Sequence, residues 1–201
     1  MNNSAILKTW LISPDLAGTR NQCRGLANRL NCEARSITPA LRQPWKTLSP
    51  WGWPCGAMLK DLYEFAPPWP DLVIASGREA VLPILYIKKK AGDMCFVVFL
   101  QDPRINTRHF DLVAAPAHDR LQGDNVITTT AAPNIITFDK LKQARSDFEA
   151  TLGHLPRPRV AVLIGGNSKT HTLSQKRMRV ITYELRKLAD DYGVGLMITT
   201  S

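Results

Sequence analysis

The chain has 201 residues, 44% hydrophobic and 21% charged, which is enough apolar material for one large domain or for one domain and part of another. No stretch is polar enough for long disorder. Its 26 basic and 17 acidic residues give a formal charge of +9, which predicts attraction to polyanions. The basic residues are scattered, however, and the densest run, Lys88–Lys90, ends a predicted helix, where cations complement the dipole. With no recognition helix, aromatic RNA-binding run or dense basic stripe, nucleic acid is not the expected partner. Cys23, Cys32, Cys55 and Cys95 have neither CxxC spacing nor a His at zinc spacing, so reduced thiols, no metal site and no cofactor are expected. No basic-then-apolar leader is present, and the apolar runs fall far short of the ~18 residues of a membrane span, so a soluble, cytoplasmic protein is expected.

Ala5–Ile12 reads as a first strand, Ser13–Gly18 as a break, and Thr19–Leu30 as a helix with Cys23, Leu26, Ala27 and Leu30 at helical spacing. Glu33–Thr38 alternates as a second strand. From Pro39 to Pro70 the chain is irregular, rich in proline, and carries Trp45, Trp51, Trp53 and Trp69; only Met58–Phe65 has room for a helix. These aromatics, interleaved with Lys46 and Lys60, have two readings: caps of the sheet edge packed under a long loop, or a base-stacking or membrane-dipping surface.

Pro70–Arg104 is the organising stretch. Apolar Leu72–Ala75, a break at Ser76–Gly77, helical Glu79–Lys90, apolar Cys95–Leu100 and the polar Gln101–Asp102–Pro103–Arg104 follow one another. Two strands apolar on both faces and joined by a helical crossover form a βαβ unit of a parallel sheet. Phe110–Ala115 is a further strand ending in Pro116–Ala117–His118–Asp119, and Asn125–Thr129 a last short one. Phe138–Leu152 is a predicted helix with Leu141, Ala144, Phe148 and Leu152 on one face.

The proline-flanked Gly153–Pro158 reads as a linker, which sets domains at 1–154 and 155–201. Beyond it lie a strand (Arg159–Ile164), a glycine loop (Gly165–Gly166–Asn167–Ser168), a helix (Leu173–Tyr192) and a parallel strand (Val194–Thr200). The fold class is therefore α/β, a doubly wound parallel sheet followed by one βαβ unit. A single such unit cannot bury both sheet faces, so Val160, Val162, Ile181, Leu185 and Ile198 are expected to be less buried than their character warrants.

Open parallel sheets bind ligands outside the carboxyl ends of their strands. Gly18, Gln22, Gly77, Arg78, Gln101, Asp102, Arg104, His118 and Asp119 all follow strands and are expected to converge there. Gly18, with Arg20 and Arg24 nearby, suits an anion at a helix N-terminus or simply an ordinary strand-to-helix turn. Asp102 and Arg104 have an equally local reading, Asp102 capping a turn with Pro103 and Arg104 pairing with a neighbouring carboxylate, and His118 and Asp119 another, the end of a strand. The Gly165–Ser168 loop suits a phosphate but lacks both GxGxxG and the lysine of a P-loop.

The motifs WLISPDLAGTRNQ from Trp10, Ser76–Gly77–Arg78, Gln101–Asp102–Pro103–Arg104, FDLVAAPAHD from Phe110, GDNV from Gly123 and LPRPRVAVLIGG from Leu155 occur in order. Together they resemble the mitochondrial fission protein family named after the plant elongated-mitochondria phenotype. The resemblance implies a GT-B glycosyltransferase-like protein with two Rossmann-like domains facing across a cleft. It also implies that relatives extend well past residue 201, so the chain is expected to be truncated and, in this form, inactive. Under it, a nucleotide-sugar or diphosphate lies in the cleft, with Asp102 and His118 as catalytic candidates. Gly18, Gln22, Gly77, Arg78, Gln101, Arg104, Asp119, Gly165, Gly166 and Ser168 would then bind substrate. The alternative it implies is a non-catalytic adaptor that recruits a dynamin-like GTPase, docking through Pro39–Pro70, at the outer mitochondrial surface in a eukaryote. Pro14 and Ala131–Ala132 depart from the family pattern, which usually has an acidic residue and a glycine there.

Overall fold

In the central strands, successive residues face opposite sides of the sheet, and both sides are apolar. Val73, Ala75, Val97 and Phe99 join one core cluster, while Leu72, Ile74, Val98 and Leu100 join another. The computed structural model that shows this describes residues 6–167 and 171–200. Its packing divides into two compact units between Ile136 and Thr137.

The first unit is a six-stranded, wholly parallel sheet of β1 (Lys8–Ile12), β2 (Glu33–Ile37), β3 (Leu72–Ser76), β4 (Phe96–Leu100), β5 (Leu112–Pro116) and β6 (Val126–Thr129). The strand order is β2-β1-β3-β4-β5-β6. The chain thus winds outward from β1 to β2, returns across it to β3 and continues the other way, making a topological switch point between β1 and β3. Helix α1 (Ala17–Leu30) places Cys23 and Ala27 on one face of the sheet, with Leu11 and Ile74. After the single turn α2 (Trp45–Leu48), helix α3 (Val81–Ala91) covers the other face with Val81, Leu82, Ile84 and Ile87. Helices on both faces make the sheet doubly wound, as the apolar strands require.

The Pro39–Pro70 segment differs from expectation. The helix expected over Met58–Phe65 is replaced by two 3-10 turns, Gly56–Met58 and Leu62–Phe65. Leu59 between them is extended and forms an antiparallel bridge with Leu41, and Lys60 N–H donates to Ala40 O at 2.9 Å. Burial of Leu41, Met58, Leu59 and Phe65 in the core outweighs local helix propensity.

The second unit contains α4 (Phe138–Asp147), α5 (Glu149–Leu152), β7 (Arg159–Ile164), α6 (Gln175–Tyr192) and β8 (Gly195–Thr200). The one helix expected over Phe138–Leu152 is interrupted at Phe148. Its intended apolar face is not buried: Leu141 and Phe148 are exposed, Ala144 and Leu152 half-buried. Strands β7 and β8 pair in parallel, from Arg159 opposite Gly195 to Ile164 opposite Thr200, as a separate two-stranded sheet. Val160, Val162, Ile181 and Leu185 are half-buried and Ile198 is exposed, in line with the limited cover that one βαβ unit supplies. Among the described residues no helix is long and apolar enough to cross a membrane.

One partly buried ion pair ties α3 to two strands. Lys88 Nζ donates to both Asp111 carboxylate oxygens at 2.7 and 2.8 Å and to Cys95 O at 3.2 Å, while Val97 N–H donates to Asp111 Oδ2 at 2.7 Å. Removing the carboxylate strands a cation and an amide. Asp111→Ala is expected to cost roughly 1–3 kcal/mol in urea unfolding, against at most about 1 kcal/mol for Asp15→Ala in the exposed Arg20 pair.

Burial pushes the Cys23 thiol up to about 12 and, against a lowering contribution from Lys88, the Cys95 thiol up to about 11. Both favour the neutral form in the folded state. Their contribution is complete below the unfolded thiol value of 9.0 and is lost as pH rises through the folded values. At pH near 8, a thiol reagent is expected to label the half-buried Cys32 and Cys55 before Cys23 and Cys95, as read by peptide mass mapping.

Candidate functional site

The switch point is a place of close approach. Gly77, just beyond β3, has φ +90°, and a Cβ there would lie 2.8 Å from Pro14 Cδ and 2.9 Å from Cγ, in the loop beyond β1. Only glycine combines that backbone with that neighbour. Beside it, Ser76 Oγ–H donates to Gln22 Oε1 at 3.1 Å, fixing an amide of α1 against the end of β3.

The next loop follows β4. Gln101 and Arg104 adopt positive φ of 83° and 62°, backbone that non-glycine residues rarely hold and that concentrates at functional sites. Local bonds maintain it: Gln101 N–H donates to Ala114 O at 2.9 Å and Arg104 N–H to Asp102 Oδ1 at 2.8 Å, while Arg104 Nε lies 3.2 Å from Asp102 Oδ2. From beyond β5, Asp119 Oδ2 accepts the Asp102 N–H at 3.2 Å and Asp119 Oδ1 lies 3.6 Å from His118 Nε2. Asp119 therefore links two loops.

These groups border one open cavity of about 710 Å³. It brings together Gln22 from α1, Gly77 and Arg78 after β3, Gln101, Asp102 and Arg104 after β4, and His118 and Asp119 after β5. Gly18 lies in the first turn of α1, exposed, and does not line it. Gly165 and Gly166 are exposed residues of the second unit after β7, and Ser168 lies outside the described residues. The cavity also takes in Trp51, Phe99, Pro103, Pro116 and Ala132. Trp51 comes from the irregular segment, where no periodicity could have marked one tryptophan among four.

The charges divide in function. Both Asp102 oxygens are committed to Arg104, so this carboxylate works first as a turn and a clamp. Asp119 is mostly buried and His118 is 78% exposed, leaving an imidazole at the surface beside a fixed carboxylate. Arg78 Nη2 donates to Lys46 O at 3.4 Å, and among the described residues no carboxylate pairs with it, so its charge is available to an anion. Among the same residues no group of three or more His, Cys, Asp or Glu could hold a metal ion.

Sheet order, switch point and cavity define a doubly wound parallel α/β protein with its crevice at the carboxyl edge. More particularly, the chain belongs to the mitochondrial fission ELM1 family, whose model matches residues 17–201. It is 31% identical over 119 residues to mitochondrial fission protein ELM1 of Arabidopsis thaliana, a match covering 48% of this chain and 28% of that protein. It is 23% identical over 234 aligned residues to the uncharacterized protein RP120 of Rickettsia prowazekii (strain Madrid E), covering 97% of this chain and 64% of the relative. The chain thus spans less than two thirds of the length of either relative. No solved structure matches it.

The two glycines of the first helix junctions separate by substitution. Gly77→Ala is expected to destabilise the chain by about 1–3 kcal/mol, since φ +90° and the Pro14 ring both oppose a Cβ. Gly18→Ala, in a helix with open space at its Cβ, is expected to be neutral or stabilising by up to about 1 kcal/mol. Denaturant midpoints of the two variants decide this.

Proposed function

We propose that the carboxyl-edge cavity binds a phosphorylated ligand, a nucleotide-sugar or other diphosphate, as the N-terminal part of a GT-B-like protein. The observation that carries this reading is the meeting of Gln22, Gly77, Arg78, Gln101, Asp102, Arg104, His118 and Asp119 on one cavity. They come from four segments spread over a hundred residues. Arg78 and Arg104 are the cations for a diphosphate, and the loop that carries Arg104 is held in positive-φ backbone at Gln101 and at Arg104 itself. In a GT-B-like transfer, His118, with the Asp119 carboxylate 3.6 Å from its Nε2, would take the proton of an acceptor hydroxyl, and the arginines would stabilise the departing diphosphate. Asp102 would act through Arg104. The domains in this scheme are 1–154 and the portion from 155 onward, whose own glycine loop at Gly165 and Gly166 is a separate phosphate candidate.

A second reading, a non-catalytic adaptor, is favoured by the exposure of Trp53 and Tyr63 in the Pro39–Pro70 segment and by the fission protein to which the chain is similar. There the segment docks a partner protein at the outer mitochondrial surface of a eukaryotic cell, and no small ligand is needed.

Calorimetric titration with nucleoside diphosphates and their sugars separates the two readings. Binding by the chain, lowered roughly ten- to hundredfold in Arg78→Ala or Arg104→Ala, is the expected result. Affinity unchanged in both variants, or no binding at all, removes the ligand site and leaves the adaptor.

A further inference from the structure

One wall of the carboxyl-edge cavity is an aromatic ring with nothing stacked on it. The indole of Trp51 is 72% exposed, although rings of this size gain most from cover. The other four tryptophans pair with one another: Trp10 with Trp69 at 6.2 Å and Trp45 with Trp53 at 5.6 Å between centroids. Among the described residues Trp51 has no ring partner. It is nevertheless held in place, because its Nε1–H donates to Arg104 O at 3.1 Å and its own N–H to Leu48 O at 2.8 Å. Nearby Ser49, fully buried, anchors the same turn by donating its Oγ–H to Arg78 O at 2.7 Å. An indole with its polar edge satisfied, its position fixed and its ring open beside a cavity is preorganised for stacking.

We infer that Trp51 is the base-binding wall of this cavity: the aromatic base of a nucleoside diphosphate stacks on its indole while the phosphates meet Arg78 and Arg104. The inference rests on the reading of the cavity as a phosphorylated-ligand site. The groups around it favour a base over a sugar ring. Of the carboxylates that would receive sugar hydroxyls, Asp102 has both oxygens engaged by Arg104 and Asp119 has one engaged by the Asp102 amide. Two carboxamides remain, Gln22 and Gln101, and a carboxamide matches the donor and acceptor groups on a base edge. Gln22 Oε1 is taken by Ser76, which leaves its NH₂ to donate. At about 710 Å³ the cavity falls within the range of sites for ligands of this size.

The test is calorimetry on the 201-residue chain and its Trp51→Ala and Trp51→Phe variants, each titrated with uridine diphosphate, inorganic pyrophosphate and glucose 1-phosphate. Trp51→Ala is expected to weaken uridine diphosphate by about 5- to 150-fold, the range for one base stacked on one ring, and to leave pyrophosphate unchanged. Trp51→Phe, which keeps a ring, is expected to retain the larger part of the affinity. Retained pyrophosphate binding also shows that the variant is folded. Uridine diphosphate binding unchanged in Trp51→Ala overturns the inference alone. So does an equal loss for pyrophosphate, which would make Trp51 a prop for Arg104, or a loss confined to glucose 1-phosphate. Binding of none of the three ligands to the unaltered chain removes the site reading and the inference together.

Discussion

The first unit depends on β1 being paired along both edges. It hydrogen-bonds β2 on one side and β3 on the other, both in parallel, so the chain must leave it by α1 and return across it. That reversal separates the loops on either side and opens a crevice, and the Pro14 ring against Gly77 sets how closely they approach. Every later strand adds its carboxyl end to the same edge. The convergence of residues from α1, β3, β4 and β5 follows from strand polarity and needs no motif in common.

Legibility of the fold tracked burial. Strands β3 and β4, apolar on both faces, and helix α3 between them could be read directly, since nothing but a covered parallel sheet tolerates two such runs. Strand β2, exposed over most of its length, could be read only from its alternation and its place after a helix. The irregular segment defeated local reading. Met58–Phe65 has helical composition, but its backbone is drawn to Ala40 and Leu41 by bonds that sequence spacing does not announce. In α4 and α5 the apolar spacing was present but marked no buried face.

The site was legible in its topology and less so in its chemistry. A residue following a strand can be assigned to the carboxyl edge without coordinates, which is why Arg78, Gln101 and His118 could be placed. Gly18 follows the same rule yet stands aside from the cavity, because it has already entered the helix. That Asp102 spends both oxygens on Arg104, while Asp119 reaches across to the Asp102 amide, is a matter of rotamers and distances. Trp51 was hidden for a different reason: it reaches the cavity from a segment with no strand to orient it.

Two backbone carbonyls of the cavity loops, those of Arg78 and Arg104, accept hydrogen bonds from Ser49 and Trp51 of the proline-rich segment. These bonds tie the irregular Pro39–Pro70 segment to two walls of the cavity. A displacement of that segment either breaks these bonds or carries the backbone of both arginine loops with it. Under the two readings proposed above, a ligand that favours one arrangement of these loops and a partner that favours one arrangement of the segment would be coupled, each changing the other's affinity by the same factor.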